Sequence, residues 1–290
     1  MSRWLCTYIA GFILLAGASG LMRQRGELYL TIDAPPSLAP MVGRVWNIDR
    51  QQLAAALARA GLTWPPRVHV TLIPEDDSRA RVTPRWIVGE AFGSQDVVIF
   101  PGRVGRYPYG SLESVVWHEV VHLALEAQAR RQPLPRWFHE GVAMSVEREW
   151  GLSSQVELLL ATVGDPGLAD LGRLFDSEAQ PETASAYLLA AALVSDVQRR
   201  HGTAVLGEIV DQVGLGMPFA HAFELQTGET PDEAAARAWA FYRRWTSWIP
   251  VVTSGSALWT GILALAFIAF MTTLCKRARR RRLWKEEDLD

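Results

Sequence analysis

The 290-residue chain has only two cysteines, Cys6 and Cys275, one near each end, which excludes a disulfide framework. Its hydrophobic content, 49%, is above that of an ordinary soluble domain, and the excess sits in two uncharged stretches, 4–22 and 245–275. Between them, residues 27–247 carry 27 acidic and 19 basic residues, a net of about −8 that argues against nucleic acid as a partner.

In chain order, Arg3 followed by the apolar stretch and "AGA" at 16–18 reads as a secretory signal. Arg23 and Arg25 allow the alternative of an uncleaved anchor, with 1–26 as the segment in either case. The runs 28–32, 67–73 and 96–100 are β-branched over strand lengths, and 45–61 has helical spacing closed by Gly61. "RWIVGEAFG" at 85–93 reads as extended, either an ordinary hairpin or an edge strand that takes a substrate backbone. After Tyr109 the pattern turns helical, over 115–125, 138–149, 187–202, 204–214 and 231–245. The predicted layout is α+β, a small N-terminal mixed sheet followed by a helical C-terminal half, with a site in the cleft between them.

Residues 257–275 are long and apolar enough to predict a transmembrane helix within 248–275. The basic run 276–282 that follows predicts a cytoplasmic tail, 276–290. The expectation is a domain at 27–247 on the periplasmic or extracytoplasmic side of the inner membrane, in contact with lipid through the C-terminal helix. Trp245, Trp248 and Trp259 fit an interface belt, and the other tryptophans are expected in the core.

The chemistry concentrates in "VVWHEVVHLAL", 115–125. On a helix His118 and His122 stand one turn apart on one face, so both imidazoles can bind one metal ion, with Glu119 beside them. Zinc in such a site needs a third protein ligand and an open position for water. Glu119 would be the general base for that zinc-activated water. The third ligand is sought in "PLPRWFHEGVA", where a Pro-bounded reversal brings a second helix back along the first. Glu140 and His139 are rivals there, because successive helical residues point about 100° apart and only one can face the metal. His69, His201 and His221 have no partner at metal spacing and read as surface or helix-end residues.

Together, "VVWHEVVHLAL" and "RWFHEGVAMSVE" resemble the gluzincins, and within them the peptidase MA-like domains of bacterial exported proteins. The second segment is also similar to the ligand helix of aminopeptidase N-like enzymes. The resemblance covers most of 27–247. It implies a zincin-like fold, His118, His122 and Glu140 as zinc ligands, and Glu119 as the catalytic base. It also implies a tyrosine or histidine on the oxyanion, a role for which Tyr187 is the candidate. Met144 stands where thermolysin-type relatives carry an acidic residue, and Glu147 is an alternative supporting group. The chain lacks the aminopeptidase amine-recognition motif, so that activity is not carried over. The expectation is a membrane-anchored zinc metallopeptidase acting on a peptide or protein substrate. The alternatives are a catalytically silent binding module of the same fold and a structural zinc site.

Overall fold

The computed structural model describes residues 29–105, 110–147, 167–177 and 180–246, with scattered positions between 259 and 272. The expected leader over 1–26, the tail over 276–290 and the side chain of Glu147 lie outside the described residues. The chain divides into two compact units, Met1–Ala238 and Trp239–Asp290, and the site lies wholly in the first.

Four strands, β1 (Leu30–Asp33), β2 (Val68–Leu72), β3 (Gly89–Phe92) and β4 (Asp96–Ile99), form one sheet in the order β1-β2-β4-β3. The first three in that order run parallel, with Val70 opposite Val97, and β3 runs antiparallel to β4. β2 shows why it forms a strand, since buried Val68, Val70 and Leu72 alternate with half-buried His69 and Thr71. Parallel neighbours require crossovers. The helices α1 (Ala39–Trp46) and α2 (Arg50–Arg59) connect β1 to β2, and α3 (Ser78–Val82) lies between β2 and the β3–β4 hairpin. The single helix predicted over 45–61 is thus two. The chain breaks at 47–49, where the Asp49 carboxylate accepts the Gln52 N–H and caps α2.

Beyond the sheet come α4 (Leu112–Gln128), α5 (Arg136–Glu147), α6 (Leu168–Phe175) and α7 (Gln180–His201). They are followed by α8 (Val205–Gly214), α9 (Phe219–Thr227) and α10 (Pro231–Thr246). α4 packs on β3 and β4, α5 packs on α4 and α7, and α6 lies on α7. On the other face of the sheet a small cluster of Ile73, Ala80 and Phe100, with Ile87 and Val98, holds α3 in place.

Two expectations need correction. The fold is mixed α/β and not α+β, because α1–α3 interleave with the three parallel strands, although the small mixed sheet comes first and α4–α10 follow it. The C-terminal transmembrane helix is also withdrawn. A span needs about 20 continuous apolar helical residues, and no helix among the described residues is long and apolar enough to cross a membrane. Within 248–275, helix is described only at 259, 262–263, 265–267 and 269–272. The tryptophans expected in the core also divide. Trp137 is buried, whereas Trp46 and Trp86 are exposed, and Trp46 carries the Arg50 guanidinium over its ring.

Candidate metal centre

α4 begins at a capping box, in which Ser111 and Ser114 exchange side-chain to backbone hydrogen bonds of 3.1 and 3.2 Å. One helical turn apart on α4, His118 and His122 share a face, their rings edge-to-face with centroids 4.7 Å apart. The sheet, α5 and neighbouring helices cover most of the circumference of α4. His118 is therefore fully buried and Glu119 only 2% exposed.

The reversal after α4 is made by Arg130 and Arg131 in the left-handed region, at φ 51° and 61°, and the Arg131 N–H donates to the Glu126 carbonyl. α5 then runs back along α4. Gly141, next to Glu140, lets α5 lie directly on the backbone of α7, since a Cβ there would stand 2.6 Å from the Ala190 carbonyl oxygen. This close approach fixes the height of Glu140. Its Oε2 lies 3.1 Å from His118 Nε2 and 3.6 Å from His122 Nε2.

His118, His122 and Glu140 form a group that can hold a metal ion, with one donor atom from each and all three within 4.8 Å of one another. No further His, Cys, Asp or Glu joins this group among the described residues. Two imidazoles and a carboxylate converging from two helices match the donor set of a catalytic metal site, and a closed structural site normally has a fourth protein ligand. Burial opposes ionisation of Glu140, but hydrogen bonding to His118 and His122 together with their charges outweighs it. The carboxyl is held below the usual carboxylate range.

Glu119 points to a different neighbour. A Cβ on Gly89 would stand 2.7 Å from Glu119 Oε1, so the bare backbone of β3 is what admits this carboxylate. Burial pushes the Glu119 carboxyl up, opposed by the charges of His122 and His118. The group opens into a cleft of about 740 Å³, walled by Gly89, Glu90 and Ala91 of β3 on one side and by Phe175 and Tyr187 on the other.

Tyr187 is half-buried on α7, its ring 6.4 Å from that of His118 and 5.3 Å from that of Phe175. His139 lines the same cleft, its ring 5.5 Å from that of His122 and its Nε2 3.7 Å from Glu126 Oε1, and it is outside the three-donor group. Burial pushes the His139 imidazole down to about 4, so it is neutral at physiological pH. His69 lies away from the site and bonds Thr31 at 2.8 Å. Sequence reasoning missed Arg136, Phe175 and Asp176, which line the cleft beside Glu140. The only sequence hint for Arg136 was its spacing of one helical turn from Glu140.

The chain matches no family model and no curated protein.

Proposed function

We propose that this chain is a zinc-dependent metallopeptidase of the gluzincin type that hydrolyses peptide bonds. The observation that carries the reading is the convergence of His118 Nε2, His122 Nε2 and Glu140 Oε2 beside a cleft that His122, Glu140 and the buried carboxyl of Glu119 line. Zinc bound by His118, His122 and Glu140 would supply a Lewis acid that polarises a peptide carbonyl and acidifies water. Glu119 takes the proton of the attacking water as the new C–O bond forms, then delivers it to the amine nitrogen as the C–N bond breaks. A carboxyl whose pKa is raised by burial suits both halves of that cycle. Among the described residues β3 pairs with β4 alone, and its other edge can add a peptide backbone as a further strand along the cleft. Tyr187 supplies a hydroxyl for the oxyanion of the tetrahedral intermediate.

Elemental mass spectrometry of the purified chain tests the metal. About one zinc equivalent is expected in the wild type and little in Glu140→Ala, which removes one of three donors. Folded wild-type protein that takes up no zinc would overturn the proposal. Tyr187→Phe is expected to keep the zinc and lower kcat on a quenched-fluorescent peptide by about 100-fold with KM little changed. Unchanged turnover would remove Tyr187 from the mechanism.

A further inference from the structure

The two carboxylate oxygens of Glu140 have different neighbours. Oε2 faces the two imidazoles, whereas Oε1 lies 3.9 Å from Nε of Arg136, one helical turn earlier on α5. Alone, an i,i+4 pair of this kind contributes little. Arg136 is not held by Glu140 alone, however. A terminal nitrogen of its guanidinium donates to Asp176 Oδ1 at 2.9 Å, and its central carbon lies 4.9 Å from the centroid of the Phe175 ring. Both partners come from the C-terminal end of α6. Phe175 is buried and meets Tyr187 edge-on, so the platform under the guanidinium is itself fixed.

We propose that Arg136, braced by Asp176 and Phe175, is a positioning residue that keeps Oε2 of Glu140 turned to His118 and His122 and so sets how tightly the site binds its metal. This rests on the metal-site reading above. The terminal torsion of a glutamate is broad. The 3.9 Å contact is an ion pair, longer than a hydrogen bond, so the guanidinium orients the carboxylate through the position in which Asp176 and Phe175 hold it, which a flexible ammonium does not share. Outer partners of metal-ligating carboxylates are typically worth about 10–100-fold in metal affinity. The charge of Arg136 acts in the opposite direction, since a cation beside the site repels a divalent ion. Asp176 offsets that charge while holding the group in place. The two effects therefore predict opposite signs. If only charge mattered, removing Arg136 would leave metal binding unchanged or tighter, whereas loss of positioning weakens it.

The test is Zn²⁺ affinity by chelator competition, together with the visible spectrum of the Co²⁺ form, for the full chain as wild type, Arg136→Met, Arg136→Lys and Asp176→Asn. Metal-free melting curves serve as the control for folding. Arg136→Met is expected to weaken Zn²⁺ binding about 10–100-fold and to change the Co²⁺ ligand-field bands. Arg136→Lys should not restore either, although it keeps the charge. Asp176 is exposed, so its substitution is safe for the fold, and Asp176→Asn should lie between wild type and Arg136→Met. Wild-type or tighter Zn²⁺ binding by Arg136→Met and Asp176→Asn, with an unaltered Co²⁺ spectrum, would overturn the role of Arg136 alone. A wild-type chain that binds neither Zn²⁺ nor Co²⁺ would instead overturn the metal site and this inference with it.

Discussion

Glu119→Gln is expected to lower peptide hydrolysis by about 10²–10⁴-fold, the usual worth of a positioned general base, while one equivalent of zinc stays bound. Glutamine fills the same space against Gly89 and still offers a carbonyl oxygen, but it cannot accept the proton of water. The metal stays because Glu119 is outside the three-donor group. Burial raises the folded-state pKa of Glu119 above its unfolded value. Its contribution to stability is therefore fully present only below the unfolded pKa and is lost as pH rises through the folded one. Metal-free Glu119→Gln escapes that loss and should melt at or above the wild type at neutral pH. Kinetics, zinc content and melting of the same preparation separate loss of chemistry from loss of structure. Zinc-loaded Glu119→Gln that hydrolyses peptide at the wild-type rate would remove Glu119 as the base.

The site was legible in the sequence to the extent that helix periodicity is local. His118, Glu119 and His122 lie within five residues, and any helix brings the two histidines to one side. The second helix was legible because the intervening prolines announced a turn and the next apolar run a helix, but the choice of Glu140 over its rival His139 came from the family resemblance alone. The contacts that shape the site were hidden, because they join residues far apart in the chain. Gly89 meets Glu119 across the packing of β3 on α4, and Asp176 reaches Arg136 from 40 residues away. Neither pairing follows from composition or period. The break between α1 and α2 has a local signal, since Asp49 with Gln52 has the spacing of an N-terminal cap inside an otherwise helical run. The span-length hydropathy of 257–275 misled in the opposite direction, because among the described residues no helix is both long and apolar enough to cross a membrane.

Arg103 was not legible at all, since in the sequence it is one arginine among many. Arg103→Met is expected to cost about 3 kcal/mol of stability, because buried carbonyls that lose a charged donor cost about 1–3 kcal/mol each, while the Glu75 partner is 44% exposed and adds little. The Arg103 side chain is 4% exposed and follows β4 in a short 3-10 turn, Pro101–Arg103. Its guanidinium donates to Glu75 Oε1 at 2.8 Å and to the carbonyls of Ala80, Pro84 and Ile87 at 2.8–2.9 Å, and it lies over the Phe100 ring. Methionine fills the volume but leaves those carbonyls without their donor, and a buried acceptor that loses its partner carries the full desolvation penalty. Lysine restores charge but not the fork that reaches several oxygens at once, so Arg103→Lys should recover only part of the loss. The effect should extend to the cleft, because the carbonyls Arg103 holds belong to the stretch that leads into β3, whose residues from Trp86 to Ala91 line it. At temperatures where the variant is still folded, KM should therefore rise more than kcat falls, because the strand proposed to receive the peptide is loosened while Glu119 and the proposed metal ligands stay on their helices. Urea unfolding of Arg103→Met within about 1 kcal/mol of wild type would show that α3 and the entry to β3 are held by the Ile73, Ala80 and Phe100 cluster without the guanidinium.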